Sequence, residues 1–233
     1  MELAPRALIL AAGRGERMRP LTDRTPKPLL EARGRRLIEW HLDALARAGV
    51  HDVVINTAWL EEQFPATLGD GSRWGLRLAY SMEGRDHGGA LETAGGMKKA
   101  LPRLGDLFWV VSGDVHAPGF DFAAQAAAEF AASGELGRLW LVDNPAHHPS
   151  GDFGIADGLA KSDVAPRFTW SGIGLFRAGF VAGLMADLPP GTPAPLRPYL
   201  EAAIARRALG ARKLRVPWTD VGTPERLAAL NAG

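Results

Sequence analysis

Ala11-Ala12-Gly13-Arg14-Gly15-Glu16-Arg17-Met18 directly follows a short apolar run. Two glycines there can bring backbone N–H groups against phosphate oxygens, and Arg17 can add a bidentate contact. A plain strand-ending turn with exposed arginines would use the same residues. Spacing excludes two familiar phosphate loops. Met18 stands where a dinucleotide fingerprint needs Gly or Ala, and the chain has no Gly-Lys-Ser/Thr. Lys27 sits between Pro26 and Pro28, whose fixed φ restricts the backbone and can aim the ammonium. A solvated lysine is the plainer alternative. Asp114 closes the run Leu107–Val111 through Ser112 and Gly113, and Asp220 lies in Trp218-Thr219-Asp220-Val221-Gly222-Thr223. Two carboxylates facing a polyphosphate would hold Mg²⁺. Asp220 also suits a helix cap ahead of Pro224, and Asp114 a turn. Spacing alone does not pair them. The six histidines, His147-His148 included, form no metal-spaced pattern and read as structural or surface residues.

These residues need a frame. Ala7–Ala11, Val53–Asn56 and Leu107–Val111 read as buried strands, Leu76–Ser81 as an alternating one. Leu37–Leu45, with Gly49 after it, and Glu92–Leu101 read as helices. Trp59–Leu68 predicts a short helix, and three prolines make Arg17–Pro28 an ordered loop. Gly84–Ala90, polar and glycine-rich, reads as a mobile lid over a ligand. Further on come a helix over 122–132, a strand over 139–142 and a loop or hairpin over 151–158. A strand over 168–176, a helix over 195–208, a strand over 213–216 and a terminal helix over 223–231 follow. The expected architecture is one α/β domain, a Rossmann-like, mostly parallel sheet with helices on both faces.

Composition narrows the function. The 233 residues are 46% hydrophobic and 23% charged, which suits a folded domain with a sizeable core. The absence of cysteine excludes a disulfide scaffold, a thiolate zinc site and a thiol nucleophile. A balance of 27 Lys+Arg against 26 Asp+Glu argues against nucleic-acid and membrane partners. No apolar run is long enough to span a bilayer, so a cytoplasmic protein is expected. Charge is uneven, however: residues 1–36 carry nine basic and four acidic side chains. Such a local excess points to a small anionic ligand.

Taken together, LAAGRGERMRPLTDRTPKPLL resembles the opening motif of the sugar-nucleotide pyrophosphorylases, and LETAGGMKKAL, SGD at 112–114 and WTDVGTPERL follow in that family's order. The middle segments LVDNPAHHPSGDFGI and FTWSGIGLF look most like its N-acetylmuramate 1-phosphate uridylyltransferases. Departures are a longer stretch at Gly84–Ala90 and Ser112 where many relatives have Asn. The resemblance implies a GT-A-like nucleotidyltransferase fold, with residues 1–120 as the nucleotide half and 121–233 as the sugar-phosphate half. It implies transfer of a nucleotidyl group from a nucleoside triphosphate, UTP before GTP or dTTP, to a sugar 1-phosphate, with Mg²⁺ as cofactor. By the same resemblance Arg17 and Lys27 are catalytic, and Asp114 and Asp220 bind the metal. Ala11, Ala12, Gly13, Gly15, Glu92 and Thr93 bind nucleotide, and Asn144, Asp152, Gly154 and Gly172 line the sugar-phosphate pocket. A monomer or homodimer is expected. An inactive nucleotide-sugar-binding subunit is the alternative of another class, against which the joint presence of Arg17, Lys27, Asp114 and Asp220 argues.

Overall fold

Ala7, Leu8 and Ile9 offer water nothing on either face, so the strand they form has to be covered on both sides. It lies inside a nine-stranded sheet in the computed structural model, which describes residues 5–233. In chain order the elements are β1 (Arg6–Leu10), β2 (Glu31–Ala32), β3 (Arg35–Arg36), α1 (Leu37–Arg47), β4 (Asp52–Thr57), α2 (Gln63–Leu68), β5 (Arg77–Met82), α3 (Glu83–His87), α4 (Glu92–Ala100) and β6 (Leu107–Ser112). Then follow β7 (Val115–His116), α5 (Ala124–Ala131), β8 (Gly137–Val142), β9 (Phe153–Ala156), β10 (Leu159–Lys161), β11 (Arg167–Arg177), α6 (Arg197–Ala205), β12 (Leu209–Lys213), β13 (Thr219–Asp220) and α7 (Pro224–Ala232).

The sheet runs β5-β4-β1-β6-β11-β8-β12-β10-β9. Its first four strands are parallel, as the strand–helix alternation predicts. Beyond β6 it is mixed: β11 is antiparallel to both β6 and β8, β12 is parallel to β8, and β9–β10 form the hairpin expected near 151–158. Two buried layers sandwich the sheet. One packs Ile9 and Trp109 against Ile38 and Leu42 of α1 and Phe130 of α5; the other packs Leu8 and Phe108 against Met97 of α4 and Leu200 of α6. Helices therefore cover both faces. No helix among the described residues is long and apolar enough to cross a membrane.

Residues 16–29 form the ordered, non-α-helical loop that the prolines predict, built from three 3-10 turns (Glu16–Met18, Leu21–Asp23, Lys27–Leu29). Local expectations fail in two places. The strand expected at 213–216 is β12, four residues earlier, because Gly210 breaks an apolar pattern that is otherwise clear. A Cβ at Gly210 would lie 2.1 Å from Oε2 of Glu135, the carboxylate that pairs with Arg138. The second failure is the lid. Residues 83–87 form α3, and that helix is tied down at several points. Glu61 accepts the N–H groups of Gly84 (3.1 Å) and Arg85 (2.6 Å), and Asp86 accepts from Lys99 (2.6 Å). The polar residues that looked loop-like in the sequence serve as anchors.

Gly84 gives the test. Its Cβ would sit 2.5 Å from the Ala58 carbonyl oxygen. Gly84→Ala is expected to cost about 1–3 kcal/mol, and so to lower the melting temperature by roughly 5 °C. Differential scanning calorimetry measures this, and an unchanged transition would restore the mobile-lid reading.

Candidate active site

The parallel register places Leu10 opposite both Asn56 and Ser112, so β1, β4 and β6 end together. Ligands collect beyond such carboxyl edges in parallel sheets. Here that edge opens into a cleft of about 430 Å³, walled by Ala12, Gly13, Gly15 and Arg17 after β1 and by Lys27. Asn56 at the end of β4, Glu92 and Thr93 at the start of α4, Ser112 at the end of β6, Asp114 after it, and Gly222 also line it.

A buried relay holds one side. Glu83 is fully buried and accepts from the Leu91 N–H (2.7 Å) and from Nδ2 of Asn56 (2.8 Å). Oδ1 of Asn56 in turn accepts the Ala11 N–H at 2.8 Å. Burial raises the Glu83 pKa, opposed by those two donors. The relay couples the backbone after β1 to the turn before Glu92, which itself adopts φ +55°. It also explains Gly96 of α4, where a Cβ would lie 2.6 Å from Nδ2 of Asn56; at the adjacent Gly95 a Cβ would meet the Thr192 carbonyl oxygen at 2.5 Å.

The basic segment divides its work. Arg14 donates to the Thr22 carbonyl (2.9 Å) and Asp23 (2.8 Å) and stacks on Trp59, so it braces the loop. Gly15 (φ +69°) approaches Thr22, whose hydroxyl donates to its carbonyl at 2.8 Å. Arg17 lines the cleft and makes no ion pair or side-chain hydrogen bond among the described residues. Lys27 is buried, and its Nζ lies 2.6 Å from Oδ2 of Asp114.

The two carboxylates meet through a short ladder. Asp220 of β13 pairs with Val115 of β7, and the Val221 N–H donates to the Asp114 carbonyl at 3.2 Å. Oδ2 of Asp220 takes Nη1 of Arg226 at 2.6 Å and lies 3.2 Å from Nε2 of His147. Asp220 does not cap α7: Thr223 does, its hydroxyl accepting the Arg226 N–H. Beneath the ladder, Nε2 of His41 donates to the Val115 carbonyl at 2.9 Å. Burial holds that ring neutral by pulling its pKa down to about 4. Among the described residues, neither Oδ1 of Asp114 nor Oδ1 of Asp220 accepts a hydrogen bond, and no group of three or more His, Asp or Glu is placed to hold a metal. Two hard carboxylates with an open oxygen each, beside a phosphate-sized cleft, fit Mg²⁺ completed by phosphate oxygens and water.

Comparison with known proteins decides the family. Residues 6–169 match the family described as Nucleotidyl transferase. The chain belongs to that family. It is 46% identical to the N-acetylmuramate alpha-1-phosphate uridylyltransferase of Neisseria meningitidis serogroup B, over 97% of each chain. It is 32% identical to the Caulobacter vibrioides protein of the same name, over 100% of this chain and 98% of that one. Among solved structures, a Bacillus anthracis protein described as a glucose-1-phosphate thymidylyltransferase superposes with a TM-score of 0.83 at 22% identity, covering 97% of this chain and 94% of that one; this likeness concerns the fold.

On this nucleotidyl transferase, the residues expected on the sugar side stand outside the cleft lining. Asn144 is taken up by the Pro149 and Arg167 carbonyls and the Thr169 hydroxyl, and Asp152 accepts the Trp170 N–H. Gly154 leaves room for the Val164 carbonyl, which a Cβ would approach to 2.2 Å. Gly172 (φ +80°) lies against the Ser112 side chain at an irregularity of β11, one residue removed from the cleft wall. Ala11 acts through its N–H to Asn56. Sequence reasoning missed Asn56, Glu83 and Arg226, while His41 is the structural histidine it expected. Only Asn56 carried a readable signal, a polar residue closing a buried strand.

Asn56→Ala would strand a buried Ala11 N–H at about 1–3 kcal/mol, and should weaken nucleotide binding roughly tenfold by calorimetric titration. His41 makes stability pH-dependent. Its folded pKa lies below the unfolded 6.5, so its contribution is fully present above pH 6.5 and declines as pH falls towards 4. Urea midpoints should drop across that window in the native protein and show a shallower slope in His41→Leu.

Proposed function

We propose that this protein transfers the uridylyl group of UTP to N-acetylmuramate α-1-phosphate, forming UDP-N-acetylmuramate and pyrophosphate. The observation that carries this reading is the 46% identity, end to end, with the Neisseria uridylyltransferase. The cleft chemistry supports it. A sugar phosphate is mostly dianionic at neutral pH, its second pKa being about 6. Its oxygen can therefore attack the α-phosphorus of UTP without a general base. The new P–O bond forms as the bond to the β-phosphate oxygen breaks, and pyrophosphate leaves with that electron pair. What the site must supply is alignment and positive charge.

In this reading Arg17, which has no acidic partner among the described residues, holds the β- and γ-phosphates, and Lys27 stabilises charge growing at the α-phosphoryl group. Backbone at Ala11, Ala12, Gly13 and Gly15, with Glu92 and Thr93, receives the nucleotide. Asp114 and Asp220 would hold Mg²⁺, which when bound neutralises phosphate charge. Asn144, Asp152, Gly154 and Gly172 shape the sugar side by ordering the backbone around Thr169 and Ser112, so that residues 1–120 serve the nucleotide and 121–233 the sugar phosphate. The reaction belongs to the cytoplasmic recovery of cell-wall amino sugars.

Pyrophosphate release measured over UTP, GTP, dTTP and CTP against muramate, glucosamine, glucose and mannose 1-phosphates tests the proposal. The greatest rate is expected for UTP with the muramate ester. A maximum elsewhere overturns it, and silence throughout would revive the inactive subunit. Lys27→Met should lower kcat by roughly 10²–10³ with UTP affinity little changed. Asp220→Asn should remove most activity and regain part of it at high Mg²⁺, whereas unaltered activity and Mg²⁺ dependence would make the residue purely structural.

A further inference from the structure

Arg226 stands beside the cleft and uses only part of its guanidinium to hold Asp220. Its guanidinium lies over Gly222 in the cleft wall: a Cβ on Gly222 would be 2.9 Å from both Nη1 and Nη2. All of its side-chain bonds run through Nη1, to Oδ2 of Asp220 (2.6 Å), the Asp220 carbonyl (3.2 Å) and Nε2 of His147 (3.0 Å). Nε and Nη2 have no partner among the described residues, and the side chain remains partly exposed. Those two nitrogens form the edge of a guanidinium that takes a carboxylate with two parallel bonds. Arg77 uses that edge on Asp52 in this protein, at 2.7 and 2.8 Å.

Position says which anion would be received. Asn56, Glu92 and Thr93 wall the cleft on the β4–β5 side, whereas Gly222 and Asp220 belong to the β6–β7 side. His147, which accepts from Arg226, comes from the segment after β8, two strands beyond β6 in the sheet. Arg226 thus bridges the carboxylate ladder and the second half of the chain, where a sugar would extend from its phosphate. Three cations near that segment are engaged elsewhere: Lys213 with Asp143, Arg197 with Glu201 and Asp152, and Arg167 with the Asp152 carbonyl. Muramate differs from its parent amino sugar by one lactyl ether, which carries a carboxylate. We infer that Arg226 is the specificity-determining residue for that carboxylate, binding it through Nε and Nη2 while Nη1 stays on Asp220. The inference rests on the muramate reading above.

The experiment compares kcat/KM for N-acetylmuramate α-1-phosphate and N-acetylglucosamine α-1-phosphate, with UTP, in the native enzyme and in Arg226→Gln. Because Arg226 also holds Asp220, the variant loses some activity on both sugars; the ratio isolates the carboxylate. The muramate preference should fall roughly 10–100-fold. Arg226→Lys keeps a cation for Asp220 but lacks the fork, and its preference should fall as well, which keeps the test available if the Gln variant does not fold. Equal losses on both sugars overturn the inference and leave the muramate reading intact. A native enzyme that ignores the muramate ester overturns both.

Discussion

The parallel pairing of β1 between β4 and β6 is the constraint on which the site depends. With Leu10 opposite both Asn56 and Ser112, three chain segments leave the sheet at one edge, and each leads into the cleft. A one-residue slip would exchange the faces of Leu8 and Ile9, two fully buried side chains packed in different layers, so the register is held by the whole core. The same pairing lets the Gly113 N–H donate to the Leu10 carbonyl at 2.8 Å, which turns the chain after β6 towards Asp114. Core packing therefore sets where the phosphate-binding backbone and the first carboxylate can stand.

Around that edge, charge is matched locally and left open where substrate is due. Several of the basic residues near the N-terminus have acidic partners: Arg14 and Arg19 share Asp23, Arg36 pairs with Glu39, and Arg35 with Asp43. At the cleft, Lys27 is paired with Asp114, and Arg17 has no acidic partner among the described residues. Such an arrangement suits a reaction whose main obstacle is the approach of two anions. Fixed cations at the point of approach supply the attraction without the reorganisation that free ions in water would need.

The ladder of β7 and β13 performs the complementary task for the acids. Asp114 and Asp220 come from distant parts of the chain; Asp220 lies on β13 and Asp114 immediately before its partner strand β7, held by backbone hydrogen bonds and by a neutral His41 beneath them. His41 belongs to α1, so the helix that covers one face of the sheet also supports the ladder. Stability and site geometry share those contacts.

The chain's local chemistry determined a good deal by itself. The buried strands at β1, β4 and β6, the helices α1 and α4, and the glycine–arginine loop with Lys27 were legible because apolar periodicity, proline and glycine act over a few residues. The motif order was legible for the same reason, and with it the family. What only the tertiary structure decided are the relations between distant segments. Gly84–Ala90 looked mobile because its polar residues have no partners nearby in sequence; Glu61 and Lys99 supply them across the fold. Glu83 and Asn56 became a relay only once β4 and β5 were side by side, and Gly210 became a strand residue only once Glu135 needed the space. Asp220 read equally well as a cap or a ligand until Thr223 took the cap and β13 paired with β7. Hydrogen bonds and ion pairs act over about 3 Å in space and place no limit on separation along the chain, which is why the partners of these residues could not be read from their neighbours.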